Sequence, residues 1–242
     1  MGLKPDKKIR WSDLRKTWGG VFDNQTILAI YKLMNRGDIK EVVGVVKEGK
    51  ESKVLAARGR KGTVAIKVYA IEAANFKRML PYLIGDPRFG RIKKDKRSII
   101  FAWAKKEFKN LERARKAGVH CPRPIAFEKN VLVLEFIGDD FKPAQRLSHT
   151  RPKDPEKVFK VVIGDMKRMW VKAGIVHGDL SEFNILLHKE RPWIIDFSQS
   201  VVKDHPHALG FLKRDINNVC IYFRKLGVEC EDEEIYEKLL KR

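Results

Sequence analysis

His177-Gly178-Asp179-Leu180-Ser181-Glu182-Phe183-Asn184, followed by Ile194-Ile195-Asp196-Phe197, is the stretch on which the reading of this sequence turns. Its pattern predicts a strand–turn–strand over 184–187 and 193–196, and a hairpin of that length returns Asp196 to the loop preceding it. Asp179, Asn184 and Asp196 then converge as three hard oxygen donors, the set Mg²⁺ takes when phosphate oxygens complete its shell. Asp179 lies five residues before Asn184. It can stay off a metal and accept a hydroxyl proton while Asn184 and Asp196 hold the ion. Singly, Asp179 reads as a turn cap and Asp196 as a strand end; together they point to phosphoryl transfer.

Working outward, Lys67 sits inside Ala65-Ile66-Lys67-Val68-Tyr69, and an ammonium in an apolar strand needs a partner or a sheet edge to reach water. Glu107, on the inner flank of a helix expected over 103–118, is the natural partner. Between the first two strands runs Val46-Lys47-Glu48-Gly49-Lys50-Glu51-Ser52-Lys53-Val54, with one glycine where a phosphate-cradling loop carries three. Backbone alone cannot surround phosphates there, and Lys50, Ser52 and the Gly49 amide are the available donors.

Helical spacing is expected over 24–34, 155–174 and 210–226, and strands over 41–47, 53–57, 63–69 and 131–136. Residues 79–97, broken by Pro81, Gly85, Pro87 and Gly90, read as a long surface loop. An acidic stretch covers 229–237. A strand-rich first half thus meets a helix-rich second half near residue 137, the plan of two lobes with a ligand cleft between them. The expected organisation is a helical N-terminal extension at 1–40, a first lobe at 41–136 and a second at 137–242.

The 242 residues carry 51 Lys and Arg against 31 Asp and Glu, a net charge of +20, with 43% hydrophobic residues. The apolar content excludes wholesale disorder, and the charge calls for an anionic partner. Residues 84–116 account for a net +8 and residues 1–16 for a further +4. Arg88, Arg91, Lys93, Lys94, Lys96 and Arg97 suit an RNA phosphate backbone, and Phe89 a stacked base. No motif for reading bases is present, and a solvated, charge-rich face is the plain alternative. Cys121, Cys220 and Cys230 form no Cys-x-x-Cys pair, and the six histidines match no zinc spacing. With no secretory signal and no apolar run of membrane-spanning length, a cytoplasmic protein is expected, with no membrane partner.

Taken together, these residues resemble the RIO-type atypical serine/threonine protein kinases over about residues 20–225. Gly49-Lys50-Glu51, Trp103-Ala104-Lys105-Lys106-Glu107-Phe108, Leu134-Glu135-Phe136-Ile137-Gly138, His177 to Asn184, and Ile195-Asp196-Phe197-Ser198-Gln199-Ser200-Val201 carry the resemblance. The stretches Asp204-His205-Pro206-His207-Ala208 and Phe211-Leu212-Lys213-Arg214-Asp215 are similar to the subfamily without an N-terminal winged helix, in a member of archaeal length. The resemblance implies an α+β bilobal kinase-like fold, with an antiparallel sheet and one helix in the first lobe, a mainly helical second lobe, and no activation-loop or peptide-docking segment. It implies use of ATP with Mg²⁺ or Mn²⁺, phosphotransferase or ATPase activity, and action on the precursor small ribosomal subunit and its rRNA. Asp179 would be the base, Asn184 and Asp196 the metal ligands, and Asp196 a candidate aspartyl-phosphate. Lys67, Glu107, Lys50 and Ser52 would serve the phosphates, Glu135 and Ile137 would offer hinge backbone groups to adenine, and Asp215 would brace the catalytic loop. Lys47-Glu48 departs from the Ser-Thr that usually precedes Gly-Lys-Glu in this subfamily. Two other readings stay open: a small-molecule phosphotransferase of the aminoglycoside or choline kinase sort, and a non-catalytic, ATP-gated rRNA-binding assembly factor. Oligomeric state is not legible from the residues.

Overall fold

In the computed structural model the described residues are 18–72, 76–89, 93 and 95–241. A helix, α1 (Asn24–Asn35), begins at Asp23, whose Oδ1 accepts the Gln25 and Thr26 amides at 2.9 and 3.2 Å. That capping is strong because the first-turn amides have no intrahelical acceptor. Three strands follow, β1 (Ile39–Glu48), β2 (Ser52–Gly59) and β3 (Gly62–Tyr69), and then a short helix, α2 (Phe76–Leu83). A long helix, α3 (Lys96–Lys116), leads to β4 (Pro124–Glu128) and β5 (Val131–Glu135). The antiparallel sheet runs β1-β2-β3-β5-β4. Lys67 therefore lies on the central strand, opposite Val54 on β2 and Leu132 on β5, with no sheet edge from which to reach solvent.

The sheet is covered on both faces. Ile30 and Leu33 of α1 pack with Leu55, Ile66 and Val133 on one side. On the other, Ile100, Trp103, Ala104, Phe108 and Leu111 of α3 share a core with Leu132 and Leu134 that continues through Val176 and Phe197 to Ile216 and Phe223. So α3 is the common wall of both halves. It starts seven residues earlier than its apolar spacing suggested, because Asp95 caps it through the Ser98 amide (2.9 Å) across a charged first turn.

The stretch 79–97, expected to be loop, is partly helical. Met79 and Leu83 of α2 are buried one turn apart, and Nε2 of His205 lies 3.0 and 3.1 Å from the Pro81 and Ile84 carbonyls at the helix end. Arg88, assigned from the sequence to an exposed RNA-facing patch, is instead tied to buried Asp86 through Nε (2.8 Å) and Nη2 (2.6 Å). Arg91, Lys94, the Phe89 side chain and residues 1–16 lie outside the described residues, whereas Lys93, Lys96 and Arg97 are exposed.

Beyond β5 come three two-residue strands, β6 (Gly138–Asp139), β7 (Lys142–Pro143) and β8 (Gln145–Arg146). Helix α4 (Pro155–Arg168) is capped by Asp154 and ends in a π-helical turn, Met169–Ala173, closed by Gly174 at φ 64°. Strands β9 (Ile175–Val176), β10 (Ile185–His188), β11 (Arg191–Ile194) and β12 (Val201–Val202) carry the chain through the 177–184 loop, and α5 (Ala208–Arg224) and α6 (Asp232–Leu240) complete it. The acidic stretch supplies the first turn of α6, where Asp232, Glu233 and Glu234 complement the helix dipole.

Candidate active site

The β10–β11 hairpin does what its length required. Ile185 pairs with Ile194, the Ile195 amide donates to the Asn184 carbonyl at 2.9 Å, and Asp196 emerges beside the 177–184 loop. Asp196 then meets the lysine of the central strand. Lys67 Nζ lies 2.8 Å from Asp196 Oδ1 and 2.8 Å from Glu107 Oε1, bridging strand, helix and hairpin. Glu107 is 1% exposed, and its second oxygen accepts the Tyr69 hydroxyl. Both carboxylate oxygens are thus satisfied, as a buried charge demands.

Burial alone would strip charge from this cluster. For Lys67 the attraction of Asp196 and Glu107 outweighs it and keeps the ammonium charged well past its ordinary range. Burial also works against the Asp196 carboxylate, but Lys67 and the Ser198 hydroxyl (2.7 Å) hold it well below the usual carboxylate range. Glu107 is pushed upward by burial, with Lys67 opposing. Although tied to Lys67, the Asp196 side chain keeps 41% of its surface open, so an oxygen can face a ligand.

The 177–184 loop is held from behind. Buried Asp215 on α5 accepts the Gly178 and Leu180 amides at 2.7 and 2.9 Å, and burial pushes its carboxyl up to about 7 against those two donors. Gly178 has φ 81°, and a Cβ there would sit 3.0 Å from the Gln199 carbonyl, so no other residue fits without movement. His177 is buried, its Nε2–H donates to the Ile195 carbonyl at 3.0 Å, and burial lowers its pKa to about 4. Asp179 is left exposed, with Gln199 Nε2 donating to its Oδ2 at 3.0 Å. Asn184 Nδ2 donates to the Asp179 carbonyl at 2.8 Å, which turns the amide oxygen of Asn184 away from Asp179. Among the described residues no cluster of three or more His, Cys, Asp or Glu could hold a metal ion. A cation here would rest on Asn184 and Asp196 with phosphate or water oxygens completing its shell, which fits Mg²⁺ and not a protein-caged metal.

A cavity of about 400 Å³ opens between the sheet and the hairpin, lined by Ser52, Lys67, Glu107, Glu135, Ile137 and Asp196 among others. Six of the residues expected at the site therefore share one wall system. Asp179 and Asn184 stand outside the lining, and Lys50 is exposed on the β1–β2 turn without reaching it. Arg146 lines the cavity and was not assigned there from the sequence; Lys47, one of the two residues that depart from the subfamily's Ser-Thr, lines it too. Burial, then the Arg146 charge, lowers the Lys47 pKa, with Asp196 opposing. Glu48, whose charge would repel phosphate, pairs with Lys53 at 2.5 Å across the strands. Tyr69 and Gln199 were also missed; each reaches its carboxylate through the fold, and nothing in the spacing signals it.

These features define a class: an α+β, bilobal, protein-kinase-like fold with the nucleotide-sized cleft between its halves. Similarity to known proteins narrows it. The model of the RIO domain matches residues 52–236. The RIO-type serine/threonine-protein kinase Rio1 of Haloferax volcanii is 43% identical over 231 residues, spanning 95% of this chain and 79% of that protein. Rio1 of Methanocaldococcus jannaschii is 40% identical, over 96% and 80% respectively. Among solved structures, the Rio2 kinase of Chaetomium thermophilum superposes with a TM-score of 0.71 at 24% identity, covering 90% of this chain and 68% of that one. The same kinase in an ADP/Mg²⁺–phosphoaspartate complex gives 0.67 at 23%, covering 91% and 68%. The chain belongs to the RIO family and is a RIO-type serine/threonine-protein kinase. As expected from the sequence, Asp196 is followed only by a 3-10 turn, β12 and the stretch to Ala208 before α5 begins, leaving no room for an activation segment.

Proposed function

We propose that this chain binds ATP with Mg²⁺ in the cavity beside Lys67 and transfers its γ-phosphoryl group, in the service of small-ribosomal-subunit maturation. The observation that carries the catalytic part is the bridge of Lys67 between Glu107 and Asp196 at 2.8 Å each, at the wall of the cavity. Lys67 and Lys47 would hold phosphate oxygens, and the Glu135 carbonyl and Ile137 amide would meet the purine edge, since the Glu135 amide donates to Arg123 and the Ile137 carbonyl accepts from Ala144. Mg²⁺ on Asn184 and Asp196 would draw charge from the phosphates. Asp179, exposed and held by Gln199, would take the proton of an incoming hydroxyl. Asp196 is alternatively the acceptor: its carboxylate oxygen bonds to the γ-phosphorus as the bond to ADP breaks, and water later cleaves the acyl phosphate. The Rio2 structure with phosphoaspartate supports considering that route. The ribosomal part rests on the resemblance and on charge: a net +20, with exposed Lys93, Lys96 and Arg97 beside the N-terminus of α3.

The test is turnover of γ-labelled ATP by wild type, Asp179→Ala and Asp196→Ala, with and without precursor ribosomal particles. Loss of about 10²-fold or more in both variants is expected. Acid-stable label on protein indicates hydroxyl transfer; particle-stimulated phosphate release indicates an ATPase cycle. Equal, residual turnover in all three proteins would sink the catalytic assignment.

A further inference from the structure

Helix α3 grips the Asp196 turn from behind with two side chains that the catalytic scheme does not use. Lys106 is 0% exposed, and its Nζ donates to the Ser198 carbonyl at 3.1 Å and to the Ser200 carbonyl. Its ammonium also lies 5.4 Å from the centre of the Trp103 ring. One helical turn on, Asn110 is equally buried and its Nδ2 donates to the Phe197 carbonyl at 3.0 Å and the Ser200 carbonyl at 2.8 Å. Residues four apart share a helix face, so the pair forms a single grip on three carbonyls. Glu107 is the neighbour of Lys106, so the same helical turn holds Lys67 in front and the turn behind.

A buried ammonium bonded only to carbonyls is expensive, and an apolar residue of its shape would pack there at lower cost. What it holds in return is geometry, the path of the 198–200 backbone. The held turn has a geometry to defend: Asp196 sits at φ 64°, ψ 65°, a left-handed conformation that a side-chain-bearing residue keeps only when its surroundings impose it. Fully buried Phe197 fills the step after it, against the His177 ring at 5.0 Å.

We propose that Lys106 and Asn110 are positioning residues for phosphoryl transfer, fixing the left-handed turn that presents Asp196 to the cavity. This rests on the reading of Asp196 as a metal-holding carboxylate. It makes the spacing between the Glu107 helix and the Asp196 turn a built-in property of the fold, where an activation segment is absent.

The test uses the full chain with Lys106→Met, which keeps length and packing, and Asn110→Ser, which keeps Lys106 and removes the amide donors, should the first variant fail to fold. ADP binding is measured by calorimetry with EDTA and across a Mg²⁺ titration, and amide exchange over 196–201 is followed without metal. Each variant is expected to bind metal-free ADP as wild type does. The Mg²⁺ needed to raise ADP affinity should increase about 10-fold or more, the scale for groups that orient metal ligands, with kcat falling and the KM for ATP nearly unchanged. Exchange over 196–201 should accelerate. In an Asp196→Asn background, Lys106→Met should remove nothing further from Mg²⁺-coupled binding. Lower stability with unaltered Mg²⁺ coupling would reduce the pair to ordinary packing and overturn the proposal, as would unchanged exchange in the turn. If wild type itself shows no Mg²⁺ coupling, the metal reading of Asp196 fails, and the exchange result alone then decides whether the grip exists.

Discussion

The two sides of the Asp196 turn hold charge in opposite ways. In front, Lys67 meets two carboxylates and stays firmly protonated. Behind, Lys106 meets two carbonyls, and burial lowers its pKa to about 7, with the charges of Asp86 and Glu107 only partly compensating against Arg88. Charge set against charge leaves a strong local field and a carboxylate whose surface is still open. Charge set against backbone dipoles leaves shape. The first arrangement can act on a ligand; the second can only decide where the first one stands.

The largest effect that would sharpen this contrast is in turnover. Lys67→Met and Asp196→Asn are each expected to cost about 10²-fold or more in kcat/KM, as is Asp179→Asn. Lys106→Met should cost distinctly less in steady-state ATP assays. Equal losses for the two lysines would break the contrast, because front and back would then be one unit.

Next comes pH. His177 belongs to the shape-holding side, buried and neutral with a pKa lowered from 6.5 to about 4. The unfolded chain binds more protons between those values, so stability is present in full above pH 6.5 and is lost as pH falls through about 4. The contribution is on the order of 3 kcal/mol at its fullest. Urea unfolding from pH 4 to 8 should show this slope in wild type and a flatter profile in His177→Asn. An identical slope in the variant would assign the dependence to other groups.

A smaller effect is expected at the cavity rim. Lys47→Ala should raise the KM for ATP about threefold to tenfold, in line with the loss of one charge-assisted bond. Glu48→Ala should leave KM unchanged, since Glu48 faces Lys53. A matching rise in Glu48→Ala would mean that this ion pair shapes the phosphate loop. The smallest effect is at the exposed basic residues. Alanine at Lys93, Lys96 and Arg97 should lessen the dependence of rRNA affinity on salt, by about 0.7 to 0.9 log units per log salt for each lost phosphate contact, with ATP turnover in the absence of RNA unaltered. An unchanged salt slope would remove this face from the RNA contact.

The return of Asp196 to the 177–184 loop was legible because a hairpin's length dictates where its ends meet, and Lys67 stood out because a charge within an apolar strand must be accounted for. Glu107 followed from helical spacing. The helix α2 was not legible, since Pro81 and the glycines after it mask a two-residue apolar face that forms only against α3 and His205. Arg88 looked like part of a basic patch because a charge count cannot see Asp86 closing on it. Nothing in the helical spacing marks Lys106 and Asn110, and only the arrival of the 197–200 carbonyls shows what they do.

By itself the sequence determined the residue types, their spacing along each element and the total charge. Those settle which chemistry is available and that a hairpin will bring its acids together. The tertiary structure alone decided which strand is central, which charges face one another, and which backbone groups a buried side chain must satisfy. These are relations between segments far apart in the chain, and their energies depend on burial and distance that no local pattern carries.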